Sequence, residues 1–390
     1  MNLKSKTKAV SNLLRWFLVN EKKKTELKKN IKATLLYEEG APGEQKERTK
    51  VLCYVPKTKP LGAYFITPGL HPLGVDHEKF LDLCTMLNSL GYIVYAPFLK
   101  DYRVLYVRPS TYEEYAKCFD RAVLDVKEKG YFFKLNVFSI SFGSLLSLQL
   151  AGDFKRKDAV NSVIILGGYG DWQSTCDEII EKALFGRLEK GYGDVRSIPA
   201  IFNHIIEYAE EVSEKSAEKL RSLWLKYMSI SWVDESYLDK KKCQELASTF
   251  LHGLNDIEKS FFMKGCGLEE GTFQLYTHLE KKGNYTHLDP LKNISHVECA
   301  VYLLHGKYDR LIPSVQQKII KEALPAKTIK RLVLTKLYAH TARSKEGSDF
   351  LRVLGTLPEL RNLLRIFLTL SLPNSSGKNK KKLLKNNIER

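Results

Sequence analysis

The 390-residue sequence has no long apolar run. Its best N-terminal stretch, LLRWFLV, is seven residues with Arg15 inside it, well short of the roughly 20 that a membrane-crossing helix needs. The stretch is also too short and too interrupted for a secretory signal core, and no small-residue cleavage site follows it. Paired cysteines are missing too. The seven cysteines are odd in number, widely spread and without a CxxC pair, which speaks against a disulfide frame or a zinc site and for reduced, buried thiols in a cytoplasmic protein. There is no HExxH, no His/Cys cluster and no carboxylate-rich loop. No GxGxxG or P-loop follows a strand signal. The glycine-rich GGYGD at Gly167–Asp171 lacks the helix pattern of a phosphate loop. Neither a metal nor a cofactor is expected.

Acidic charge is in deficit: 62 Lys and Arg face 45 Asp and Glu, a net +17. The excess sits at the two ends. Residues 1–30 carry nine basic and two acidic side chains, and residues 374–390 carry six basic and one acidic, so the ends supply 12 of the 17 charges. Such ends suit weak contact with an anionic membrane, with LLRWFLV as an amphipathic helix. The plainer reading is a pair of solvated tails. For nucleic acid there is no motif beyond charge.

Between the ends the patterning alternates. IKATLLYEEG and KVLCYVP read as an opening antiparallel pair. AYFITPG, YIVYAP, NVFSI and VNSVIILGG read as short buried strands. DHEKFLDLCTMLNSLG and TYEEYAKCFDRAVLDVKEKG are helices closed by Gly91 and Gly130. This alternation predicts a mostly parallel sheet covered on both faces. From about Trp172 the signals turn helical and stay so to Asp289. Strand and helix signals resume at ECAVYLLHGKYDRLIP and end in the helix LPELRNLLRIFLTLSL. The expected organisation is a basic extension (1–30), a first core part (31–171), a helical insertion (172–289), a second core part (290–373) and a lysine-rich tail (374–390).

One junction stands out. In NVFSISFGSLLSLQLAG a strand feeds directly into a helix through SISFG. Ser141 at the corner needs a strained backbone that lifts its hydroxyl above the sheet. Ser139 and Gly143, two residues to either side, are small, as close strand–helix packing requires. A plainer reading of Ser141 is a helix N-cap. The segment resembles the nucleophile elbow of the α/β-hydrolase superfamily, usually G-x-S-x-G, with Ser139 in place of the first glycine.

That resemblance covers about residues 31–170 and 290–370. It implies the α/β-hydrolase fold: an eight-stranded, mostly parallel sheet with helices on both faces and the insertion as a helical cap. It also implies a nucleophile, acid and base in that chain order. YLLHGKYDRLIP resembles the superfamily's G-x-x-D-x-x-[IV]-P and offers Asp309 as the acid. His340, in the loop after RLVLT, is the only histidine that follows Asp309 and is the implied base. As plainer readings, Asp309 is a turn residue and His340 an exposed loop histidine. The implied oxyanion donors are the N–H groups of Phe142 and Leu70, the latter in TPGLHPLGVD, with His71 a less favoured neighbour of Leu70. In that loop Pro68 stands where the superfamily often has His. His305 reads as structural, His204, His252 and His278 as packing or surface residues. His287 and His296 are candidates for the rim of the site.

The leading expectation is a serine hydrolase that cleaves carboxylic esters or thioesters through an acyl-enzyme on Ser141. An acyltransferase with the same triad and a non-catalytic binding module on a hydrolase frame are the alternatives, because one fold hosts many functions. The expected partner is a small-molecule acyl ester or thioester.

Overall fold

The structure, a computed structural model, describes residues 33–37, 50–186, 194–309, 311–336 and 357–370. The basic extension, the lysine-rich tail and His340 lie outside these residues. Eight strands form one sheet in the order β1-β2-β4-β3-β5-β6-β7-β8. β1 (Ala33–Tyr37) and β2 (Lys50–Tyr54) pair antiparallel, with Ala33 opposite Tyr54. β2 runs antiparallel to β4 (Tyr92–Phe98). From there every pairing is parallel: β4 with β3 (Gly62–Thr67), β3 with β5 (Leu135–Ile140), then β6 (Val160–Leu166), β7 (Ala300–Gly306) and β8 (Ile329–Thr335).

The central strands are apolar because both of their sides are covered. All six residues of β3 are buried, and so are the first five of β5. One face carries α1 (Glu78–Ser89) and, at the end of the described chain, a helix over Leu357–Leu370. Phe80, Met86 and Leu370 pack there against Ile66, Val94 and Val333, and the Tyr64 hydroxyl donates to the Leu370 carbonyl at 2.7 Å. After β4 a short helix, α2 (Lys100–Arg103), leads to α3 (Thr111–Glu128) on the opposite face. The buried residues of α3 include Tyr115, Phe119, Ala122 and Val126, spaced by three or four so that they form one stripe. Phe119 and Tyr115 meet Phe65 edge-on, both at 5.3 Å between ring centroids. Burying each such side chain contributes about 1.5–3 kcal/mol. α4 (Ser144–Gly152) shares this face and is buried along its whole length.

Between β6 and β7 come α5 (Trp172–Phe185), α6 (Ile198–Ile205), α7 (Glu214–Ser231), α8 (Lys240–Ser248), α9 (Asp256–Gly265) and α10 (Thr272–Lys282). No strand interrupts them among the described residues. They enclose Phe202, Trp224, Tyr227, Phe262 and Tyr276, all essentially inaccessible. Gly265 permits a close approach, since a Cβ there would meet the Trp224 ring at 2.3 Å. α9 opens with a capping box, Asn255 and Glu258 each bonding the other's backbone N–H. After β7 the chain returns through α11 (Gln316–Ala323) to β8, and α12 is the Leu357–Leu370 helix. The expected organisation did not include α2.

Candidate active site

The parallel strands all point one way, so the loops after β3, β4, β5, β6, β7 and β8 gather at one edge of the sheet, where α/β proteins build sites. The strand–helix junction lies there. β5 ends at Ile140, a single turn of 3-10 helix spans Ser141–Gly143, and α4 starts at Ser144. Ser141 has φ of 52°, one of three positive values on non-glycine residues among those described. Holding an L-residue in that region costs on the order of 1–3 kcal/mol.

The neighbours show how the corner is held. A Cβ on Gly143 would lie 2.7 Å from the Pro68 carbonyl oxygen and 3.0 Å from that of Thr67. The loop after β3 therefore presses directly on the first turn of the α4 segment. Ser139 brings a buried hydroxyl where the elbow pattern has glycine. That hydroxyl donates to the Ile164 carbonyl at 3.5 Å and accepts from Ser147 at 2.9 Å, so it is satisfied within the core. Gly168, just past β6, closes the packing, as a Cβ there would meet that of Ser144 at 2.6 Å.

Two backbone segments flank the Ser141 side chain. A Cβ built on Gly69 would come 3.2 Å from the Ser141 Cβ and 3.8 Å from its Oγ. The next residue is Leu70, whose N–H has no hydrogen-bond partner among the described residues. The His71 N–H is engaged, donating to the Tyr102 carbonyl at 3.2 Å, so Leu70 is the better donor candidate of the pair. On the other side Phe142 lies in the first helical turn, where N–H groups have no intrahelical acceptor.

The Asp309 side chain is fully buried. One carboxylate oxygen accepts the N–H groups of Leu311 and Ile312, each at 3.0 Å. The other lies 3.7 Å from His305 Nε2, which is itself 2.9 Å from the Ile312 carbonyl. The carboxylate is thus gripped by its own loop. β5 and β7 are separated only by β6. At about 4.8 Å per strand spacing, the loops bearing Ser141 and Asp309 start about 10 Å apart. His340 lies outside the described residues.

The remaining histidines have separate tasks. His71 is half-buried. Its Nδ1 accepts the Leu73 N–H at 3.1 Å, and its ring sits 4.4 Å from that of His77 and 5.9 Å from Trp232. Burial, with His77 beside it, pushes its pKa down to about 4. His204 is buried in α6. Its Nε2 accepts the Val107 N–H at 3.0 Å and its Nδ1 lies 2.8 Å from the Ala200 carbonyl. His287 Nε2 is 3.2 Å from the Val107 carbonyl, and His296 packs on Phe154 at 4.2 Å. His252 and His278 are exposed.

The helical insertion docks on the same edge as Ser141. The Phe142 ring lies 5.8 Å from Trp172 of α5 and 6.3 Å from His204 of α6. Asn203 Nδ2 bonds the Val104 and Leu105 carbonyls at 3.1 and 2.8 Å. The two roots of the insertion are tied together, with the Tyr169 hydroxyl on the Leu288 carbonyl at 2.8 Å. Gln316 of α11 holds the departing chain, its Oε1 accepting the Gly170 and Asp171 N–H groups, both at 3.0 Å. A groove of about 740 Å³ opens beside α3 and α4, lined by Tyr106, Arg108, Leu146, Arg156 and His287 among others, but its lining does not include Ser141 or Asp309. The described residues hold no group of three metal-ligating side chains. None of their helices is long and apolar enough to cross a membrane.

The strand order, the parallel run from β4 to β8 and a positive-φ serine at the strand–helix corner make this the α/β-hydrolase fold. A scan of protein families finds no match to the chain, and a search of curated proteins finds no similar one. Among solved structures it is similar to an acylaminoacyl peptidase from Pyrococcus horikoshii, at 13% identity and a TM-score of 0.47 over 91% of this chain. The chain spans 44% of that peptidase's length. A thermostable carboxyl esterase from Bacillus coagulans is similar at 13% identity and a TM-score of 0.44, over 87% of this chain and 99% of the esterase. Proline iminopeptidase from Mycobacterium smegmatis is similar at 12% identity and a TM-score of 0.42, over 87% and 98%.

Proposed function

We propose that the chain is a serine hydrolase of carboxylic esters or thioesters, with Ser141 as nucleophile, Asp309 as orienting acid and His340 as base. The observation that carries this reading is the positive φ of Ser141 at a corner pressed by Gly69. A strained backbone persists only where the surroundings enforce it, and such strain gathers at functional sites. His340 takes the Ser141 proton as Oγ bonds the acyl carbon, and the carbonyl π electrons move onto oxygen. The Leu70 and Phe142 N–H groups receive that oxyanion. Collapse expels the alcohol or thiol, which leaves with the proton from His340. Water then repeats the sequence on the acyl-enzyme, releasing the carboxylic acid and restoring Ser141.

The insertion then acts as a cap and supplies the acyl pocket, with Trp172 and His204 against Phe142 as its nearest contacts to the nucleophile turn. Treatment with a fluorophosphonate probe and peptide mass spectrometry tests the reading. The adduct is expected on Ser141 and absent from Ser141→Ala. An adduct on a different serine, or none in folded protein across a panel of probes, would overturn it.

A further inference from the structure

Tyr102 lies in α2, the short helix after β4, far in sequence from both candidate donors, yet it touches the segment of each. Its backbone carbonyl accepts the His71 N–H at 3.2 Å. Its hydroxyl donates to the Phe142 carbonyl at 3.1 Å. In both cases the bonded group belongs to the peptide that directly follows a donor, after Leu70 in one loop and after Phe142 in the other. Tyr102 is inaccessible to solvent, and its ring meets the Phe142 ring edge-on at 6.1 Å. Burial holds the phenol well above its ordinary pKa, so it remains a hydrogen-bond donor. Its neighbour Arg103 adds a further tie, Nε to the Pro72 carbonyl at 3.1 Å. The loop is fixed from the other side by Asn203, which takes the Val104 and Leu105 carbonyls.

We infer that Tyr102 is a positioning residue of the oxyanion hole, setting the separation of the Leu70 and Phe142 N–H groups through one residue, its backbone carbonyl on one segment and its hydroxyl on the other. The inference rests on the serine-hydrolase reading. It also gives the insertion a route to the chemistry, since Asn203 of α6 bonds the Val104 and Leu105 carbonyls and so steadies the segment through which Tyr102 ties the two donor loops.

Tyr102→Phe removes the hydroxyl and keeps the ring. The test compares p-nitrophenyl butyrate with its thiono analogue, whose C=S sulfur accepts hydrogen bonds poorly, so that the ratio of their kcat/KM values reports the hole. Removing one oxyanion donor outright costs roughly 10²–10³ in kcat, so a misplaced donor is expected to cost about tenfold on the oxo ester. The thiono ester should change much less, shrinking the ratio several-fold with KM nearly constant. A purely structural role would lower both substrates equally, and an unchanged ratio overturns the inference. Ser141→Ala in the same assay separates the two ideas. If it is inactive while Tyr102→Phe keeps the ratio, only the positioning role falls. If it retains full turnover, the serine reading falls and takes the positioning role with it.

Discussion

Gly143 and Pro68 are so close that a side chain on the first would reach the backbone of the second, 2.7 Å from Cβ to carbonyl oxygen. The Pro68 carbonyl belongs to the loop that carries Gly69 and Leu70, so this approach is what brings the two candidate donor segments together. Gly143→Ala must push α4 away from β3, because neither contacting group is a flexible side-chain end. Overpacking of this kind costs about 1–3 kcal/mol. Urea denaturation should show that loss, and fluorophosphonate labelling of Ser141 should slow at the same time. Loss of stability with unchanged labelling would mean that the approach serves packing alone.

The proposed triad makes graded demands. Ser141→Ala should abolish acyl-enzyme formation. His340→Ala should slow it by orders of magnitude. Asp309→Asn should slow it by up to about 10⁴, since a neutral amide favours the wrong imidazole tautomer. Asp309 also accepts two backbone N–H groups on one oxygen, so the asparagine variant is expected to melt lower, with both of those bonds now met by a neutral, weaker acceptor. Single-turnover kinetics separate the two effects, because a folding defect reduces the amplitude of the burst while a chemical defect reduces its rate.

The corner at Ser141 was legible because several local signals coincide there: an apolar strand, small residues on either side of a serine, and a helix pattern that begins at once. The antiparallel opening pair and the parallel succession were readable for the same reason, period and punctuation agreeing over short distances. Tyr102 was not legible. LKDYRVLYVRPS has no periodicity, its short helix is four residues long, and the partners of Tyr102 lie 31 and 40 positions away at His71 and Phe142. Leu105, at φ 56°, likewise gives no compositional hint, because an unfavourable backbone on a leucine is imposed by the fold around it. The task of His204 depends on Val107, which only the docking of α6 brings near.

His204 gives stability a pH dependence of known sign. Burial pushes its pKa from the ordinary 6.5 down to about 4; the bond to the Ala200 carbonyl and the nearby Glu207 oppose the shift, while His287 and Arg221 reinforce it. Between those values the unfolded chain binds a proton that the folded chain refuses. Stability is therefore full above the unfolded pKa and falls as pH drops toward the folded one, by on the order of 3 kcal/mol for a shift of this size. His71 adds in the same direction, being held at about 4 by burial. Urea midpoints at pH 7 and pH 4.5 should differ accordingly. His204→Gln should lower the midpoint at pH 7, through imperfect bonds to Val107 and Ala200, and should flatten the decline. An equally steep decline in the variant would assign the effect to other groups.

The buried pair Asp194–Arg196 is expected to control the stability of the insertion. Both side chains are nearly inaccessible, at 5% and 4% exposure. Arg196 Nε lies 2.8 and 3.0 Å from the two Asp194 oxygens, and its other arm donates to the Ser231 carbonyl at the end of α7 at 2.7 Å. The Arg196 carbonyl in turn accepts the Trp232 indole N–H at 2.8 Å, and Trp232 faces His71 beside the candidate donors. Asp194→Ala would leave a guanidinium buried with backbone carbonyls only, a situation that costs about 3–5 kcal/mol. Replacing both partners by Leu and Met removes the charge together with its counter-charge and should cost far less. Amide exchange should therefore rise at the C-terminal end of α7 in the single variant and stay near wild type in the double. If the double variant is as unstable as the single, the pair contributes through its hydrogen bonds to the backbone at Ser231, and the unpaired charge is not the cause.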